Sequence, residues 1–395
     1  MLIFNNYSIF GRQIKDMNHP KNQSRIAILS EREINDHVAS CCLYEFEDAI
    51  ASVDAVDIFT PKRSYQSAQR NFKWVKKFTR SPQIANHLKL DPNSFTLEHD
   101  YDLFFMILDN PSKFIALDTI KNWRKKCKKA VCYIIEIWEE ALPQWKPILE
   151  LFKDFDHIYL GHTNSTQAVA EITGVPCTYL PFGTDAIQFS PNSIDSPRAI
   201  DVTNIGRRSV VTHQALLERM KQGDFFYYYD TPKNFYIQNP QEHRNLLANL
   251  AKNSRYWITN NPNFNDDPRS LKGIQKEIGY RIFEGAAGGA IAIGNQTATE
   301  EFNKHFDWED SVISIPADAN NIADIIRELD TQSDRTERIR RHNIYNSLLR
   351  HDWVYRWRHI LETMELEVTP QILAREAQLK QRAEGFLPIP TLAKV

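Results

Sequence analysis

From residue 25 to residue 316, short apolar runs alternate with helix-patterned stretches, and the alternation breaks only once, at the polar, proline-bearing SPNSIDSPRA (190–199). Apolar runs too short for buried helices, separated by stretches long enough to cross over, imply parallel strands covered by helices on both faces. The first series has strands at 25–30, 55–60, 101–108, 130–137, 157–161 and 178–182, with helices at 36–52, 66–79 and 164–173 among the connections. The second has strands at 200–206, 225–230, 255–260, 290–294 and 311–316, and helices at 212–221, 241–252, 278–288, 299–305 and 321–329. A chain of 395 residues is too long for one ordinary core, so the break reads as a linker. The expected class is α/β, with two doubly wound, Rossmann-like domains spanning 25–191 and 192–350.

After residue 333 the pattern is almost wholly helical. Trp353, Trp357, Ile360, Leu361 and Met364 share one face behind Asp352 as N-cap, so this helix needs a surface to cover. His351 is expected to help start it. We assign 351–395 to C-terminal helices and a tail, and 1–24 to a loose arm without a basic leader or a small-residue cleavage site.

Composition removes several function classes. Forty-eight basic against fifty acidic residues leave a net charge of -2, which argues against a nucleic-acid binder. The cysteines at 41, 42, 127, 132 and 177 show neither CxxC pairs nor zinc spacing and read as reduced thiols of a cytoplasmic protein. The most apolar internal runs are far shorter than the ~20 residues a membrane span needs. SEREIN follows the first strand where a nicotinamide-binding G-x-G-x-x-G would stand. Asp100 with Asp102, and Asp154 with Asp156, imitate a metal-holding Asp-x-Asp but precede their strands, at the wrong end of a sheet. No metal or cofactor is therefore expected.

The chemistry-bearing stretch is GYRIFEGAAGGAIAIG at 279–294. A helix starting near Gly279 offers unpaired N–H groups and a positive dipole end to a diphosphate, and Arg281 adds a charged fork. Tyr280 flanks it. Glu284, one turn in, can accept bonds from two ribose hydroxyls, and the small residues after it let the helix lie close to a sheet. The other reading is a tightly packed helix carrying two surface charges. Gly206, Arg207 and Arg208 leave the carboxyl end of the strand at 200–206, on the same ligand-binding edge. Arg207, Arg208 and Arg281 would surround a leaving diphosphate, each good donor contributing roughly 3 kcal/mol.

These motifs, with YLPFGTDAIQFSP before the linker, NIGRRS after it and HDWVYRWRHIL near the end, resemble a GT-B glycosyltransferase, a bacterial family 4-like enzyme with the donor motif R-x-x-E-x-x-A-x-G. The resemblance implies a hexosyltransferase, retaining and metal-independent, acting from a nucleotide-sugar donor of unknown base on an unknown acceptor. It implies that Glu284 holds the ribose, that Arg207 or Arg208 meets the diphosphate, and that the terminal helix crosses back to the first domain. The family's second glutamate, eight positions before Glu284, falls on Lys276, with Glu277 one place later. Either the loop is shifted by a residue, making Glu277 catalytic, or backbone near Gly279 holds the donor sugar.

In the first domain Glu136 and Trp138 are expected at the carboxyl end of the strand at 130–137, and His162 just after the strand at 157–161, all at the cleft edge. A carboxylate beside an indole suits a sugar; alternatively Trp138 packs inside and Glu136 caps a helix. Two basic stretches, Arg70 to Arg80 with interleaved aromatics and Lys121 to Lys129, face either solvent, an anionic acceptor or an anionic lipid surface in weak peripheral contact. A nucleotide-sugar epimerase or a phosphorylase of the same fold is the enzymatic alternative, and a non-catalytic sugar-nucleotide or glycan binder the other.

Overall fold

Parallel strands buried on both faces read as continuous apolar runs whose side chains alternate between two cores, and the first sheet follows that rule. The computed structural model describes residues 24–61, 94–231, 235–262, 275–296 and 298–387. Its first sheet holds β1 (Ile26–Leu29), β2 (Val56–Phe59), β3 (Tyr101–Leu108), β4 (Cys127–Ile134), β5 (His157–Leu160) and β6 (Cys177–Tyr179). All are parallel, in the order β2-β1-β3-β4-β5-β6. Leu103, Phe105 and Ile107 of β3 enter one core, while Phe104, Met106 and Leu108 enter the other. The helix expected over 66–79, its basic-aromatic face and nearly all of the N-terminal arm lie outside the described residues.

The second sheet holds β7 (Ile200–Asn204), β8 (Tyr227–Tyr229), β9 (Ser254–Ile258), β10 (Ile291–Gly294) and β11 (Ile313–Ser314), parallel in the order β11-β10-β9-β7-β8. The strand order reverses beside β1 in the first sheet and beside β7 in the second. Ligands of doubly wound sheets bind at such switch points, off the carboxyl ends of the strands.

Helices pack by their small and apolar faces. α1 (Cys41–Val53), α2 (Leu142–Leu149), α3 (Thr166–Thr173) and α4 (Ala186–Phe189) belong to the first half. α5 (Val210–Met220), α6 (Pro240–Asn253), α7 (Tyr280–Ala287), α8 (Glu300–His305), α9 (Ile322–Asp330) and α10 (Ser333–Arg350) surround the second sheet. A Cβ on Gly285 would lie 2.6 Å from Trp257 Cδ1, so only glycine lets α7 approach β9 this closely.

The apolar face of α11 (Trp353–Thr363) closes the first core rather than the second. Trp353 stacks on Phe46 of α1 with centroids 4.5 Å apart, and Trp357 Nε1 donates to Asp54 at 3.1 Å. α12 (Pro370–Glu384) joins the same core through Ile372, Leu379 and Ala383. The chain crosses back where Thr184 pairs with Asp352, Thr184 N donating to His351 O at 3.0 Å.

Two expectations shift. β4 begins at Cys127 and ends at Ile134, because Cys127 pairs with Tyr101 and Lys128 reaches Asp102 at 2.7 Å at the amino edge. Glu136 and Trp138 therefore stand on a loop beyond the strand. His351 does not start α11. Asp352 does, accepting from Val354 N at 3.0 Å, while fully buried His351 locks the crossing. Its Nε2 lies 3.1 Å from His305 O and therefore carries the proton, so Nδ1 accepts from Arg356.

Candidate active site

α7 begins where the expected motif placed it. Gly279 is its N-cap, with N–H 3.4 Å from Gln296 Oε1, and Asn260 O lies 2.9 Å from where a Cβ would stand. Ile282, Phe283, Ala286 and Ala287 bury one face. Tyr280, Arg281 and Glu284 line a cavity of about 190 Å³ between the two sheets.

Glu136 and His162 wall the same cavity from the first half. Both candidate faces therefore meet at one site. Trp138 stands behind them, buried, with Nε1 donating to Glu136 Oε1 at 2.6 Å and its ring 4.4 Å from His162. The Nδ1 of His162 is 3.1 Å from Ile137 O and carries the ring proton. Burial lowers the pKa of His162 against the opposing pull of Glu277 and Glu136. The ring is neutral, with Nε2 an acceptor.

Glu284 is 0% exposed, yet its carboxyl titrates below the ordinary range. Burial alone would raise it. Arg281 and Arg244 outweigh that cost: Arg281 Nη1 donates to Oε2 at 2.6 Å and Arg244 Nη1 to Oε1. Arg244 of α6 also binds Glu45 of α1 at 2.6 Å, joining the two halves of the molecule.

Two further clasps span the cleft. Glu277, buried, accepts from Thr163 N at 3.0 Å and Asn164 N at 3.3 Å, and Gln275 Oε1 accepts from Glu139 N at 2.8 Å. Lys276, in the family's glutamate position, points to solvent. His37 pairs with Tyr236, and Val38 N donates to Phe235 O at 2.6 Å.

The edge of β7 is built differently. Gly206 takes φ 89°, and its N–H lies 3.1 Å from both carboxylate oxygens of Asp230. Arg208 Nη1 donates to the same carboxylate at 2.6 Å, while Arg207 is exposed. These three residues do not line the cavity. His243 of α6 does, and its charged neighbours include both Arg281 and Asp230.

Sequence reasoning missed Arg244, Glu45, Gln275 and His243. For Arg244 a signal exists: it precedes buried Leu247, Ala248 and Ala251 at helical spacing, so it falls on the apolar face of α6. The acidic pairs are ordinary partners at amino edges, Asp100 with Lys126 at 3.0 Å and Asp156 with Arg124 at 3.1 Å. With Lys128 on Asp102, these contacts engage Arg124, Lys126 and Lys128 of the second basic stretch.

Residues 229–362 match the family model of glycosyl transferase-like proteins, a stretch that contains Asp230, Arg244, Glu277, Arg281 and Glu284. The fold is that of the GT-B glycosyltransferases. An α-glucosyltransferase solved with UDP and a 13-mer DNA containing an HMU base superposes on it with TM-score 0.50 and 11% identity, over 87% of this chain and 100% of that one. HepE from Anabaena, solved with UDP-glucose, gives TM-score 0.47 and 12% identity over 87% and 100%. A glycosyltransferase from Rickettsia africae gives 0.47 and 13% over 89% and 99%. No curated protein matches the chain. Among the described residues, no helix is long and apolar enough to cross a membrane.

Proposed function

We propose that the cavity between the sheets receives the ribose and glycosyl parts of a nucleotide sugar, and that the enzyme transfers the sugar with retention and without a metal. The observation that carries this reading is the convergence of Tyr280, Arg281 and Glu284 with Glu136 and His162 on one cavity, within and beside the stretch that matches the glycosyl transferase-like family. Glu284, ionised, accepts ribose hydroxyls. Arg281 and the N-terminus of α7 stabilise the diphosphate, with Arg208, Gly206 and Arg207 reaching its outer end. Glu136 and neutral His162 accept sugar hydroxyls. Trp138 holds Glu136 in place.

In the step itself the bond from the anomeric carbon to the diphosphate oxygen breaks, and a bond from that carbon to an acceptor oxygen forms on the same face. The acceptor proton passes to the departing diphosphate, so no protein base is required. The acidic pairs at amino edges, already engaged by Lys126, Lys128 and Arg124, support a metal-independent reaction. Glu277 serves as a clasp on the β5–α3 loop in this reading, shaping the sugar end of the cleft. Five unbridged thiols support a reducing, cytoplasmic setting.

The test is thermal shift and sugar release with UDP, GDP and dTDP sugars, UDP first because the α-glucosyltransferase neighbour was solved with it. Stabilisation by one nucleotide, lost in Glu284→Ala, supports the reading. No response to any of them, with Glu284→Ala unchanged from wild type, would overturn it. Binding without turnover in the presence of candidate acceptors favours the non-catalytic alternative.

A further inference from the structure

Arg244 is only 4% exposed in its side chain, and its guanidinium is shared among three parts of the chain. Nε donates to Glu45 Oε2 at 2.6 Å and Nη2 to Glu45 Oε1 at 3.2 Å, both on α1. Nη2 also reaches Thr184 Oγ1 at 3.3 Å, beside the crossing, and Tyr280 Oη at 3.0 Å. Nη1 holds Glu284. The plane lies over Phe189, 4.8 Å from the ring centroid. Glu45 is fixed in turn by Trp353 Nε1 at 2.9 Å and Asp185 N at 2.8 Å.

α1, the crossing at Thr184 and α7 therefore meet on one side chain. A guanidinium is a rigid fork whose donors point in fixed directions, so it spans Glu45 and Glu284 together only when α1 and α7 stand at this separation. The carboxyls of Glu45 and Glu284 thus face the guanidiniums of Arg244 and Arg281. Separating the halves would strand a buried charge without its partner.

We propose that Arg244 is a positioning residue for donor binding: it sets the orientation of the Glu284 carboxylate in the cavity and, through Glu45, makes that orientation depend on closure of the two halves. The inference rests on the donor role of Glu284 proposed above. Glu45 does not line the cavity, yet its neutralisation weakens nucleotide binding. Lysine at 244 keeps the charge but has no fork.

The experiment measures Kd by calorimetry for whichever of UDP, GDP or dTDP most stabilises the wild type, in Arg244→Lys, Glu45→Gln and the double variant, with thermal unfolding of each. Each single variant is expected to raise Kd about tenfold, and the double variant to be no weaker than the worse single one, because both changes break one linkage. Donor KM should rise further than kcat falls. Nucleotide affinity within twofold of wild type in folded Glu45→Gln and Arg244→Lys, whatever their melting temperatures, would reduce Arg244 to an interdomain prop. If Arg244→Lys does not fold, Glu45→Gln alone decides. A wild type that binds no nucleotide overturns the donor reading and this inference with it, whereas binding unaffected by either change overturns the inference alone.

Discussion

Glu31 and Glu284 are the same residue type in corresponding surroundings, each buried near the carboxyl edge of a parallel sheet, and they titrate in opposite directions. Glu284 faces two guanidiniums and is held below the ordinary carboxylate range despite full burial. Glu31, 5% exposed, is pushed up to about 7 by burial, opposed by Lys113 but reinforced by Asp109. Lys113 Nζ and Asn35 Nδ2 each reach Glu31 Oε2 at 3.1 Å, and Oε1 has no partner among the described residues. The contrast shows that burial alone does not set a carboxyl's charge; the number and geometry of neighbouring cations do.

The largest effect should come from Glu284→Ala. It leaves Arg281 without its buried partner, and we expect a stability loss of about 3–5 kcal/mol by urea unfolding, together with loss of nucleotide stabilisation. Wild-type stability in this variant would remove the buried ion pair from the comparison.

Glu31→Gln should act the other way. A folded-state pKa above the unfolded value means that wild-type stability is fully present below about pH 4 and declines as pH rises through about 7. Glutamine cannot ionise, so the variant should exceed wild type by about 3 kcal/mol at pH 8, the gap closing toward pH 4. Glu284→Gln should show the reverse trend, its deficit present at neutral pH and shrinking as pH falls below the ordinary carboxylate range. Parallel pH profiles for the two variants would break the comparison.

Arg281→Gln removes one of the two cations that distinguish the sites. The loss of one charge-assisted bond, about 2 kcal/mol, corresponds to roughly thirtyfold in kcat/KM for sugar release. Arg207→Ala, at the exposed edge, should change stability by less than about 0.5 kcal/mol. Loss of transfer in Arg207→Ala with activity kept in Arg208→Gln would assign the outer diphosphate contact to Arg207 rather than to the arginine already paired with Asp230.

Much of the fold was legible in the chain. All eleven expected strands occur, with β4 displaced toward its amino end, because a buried parallel strand announces itself as a local apolar run. The tryptophan face of α11 demanded a partner, and the first core supplies it. Gly279, Tyr280, Arg281 and Glu284 were legible as a group because a helix start with a charged first turn is a local pattern. Arg244 was not: its importance comes from Glu45, 199 positions away. Gly206 and Arg208 read as a phosphate-facing turn, but Asp230, brought alongside by β7–β8 pairing, holds both.

Local pattern by itself thus determined two parallel sheets, a terminal helix with an apolar face to cover, and a cleft-edge helix carrying Arg281 and Glu284, since strand burial, helix periodicity and capping act over a few residues. Only the tertiary structure decided what those side chains face. It placed Arg244 between Glu45 and Glu284 and set Glu31 beside Lys113, and the charge of a buried carboxyl depends on cations that the fold, not the neighbouring sequence, delivers.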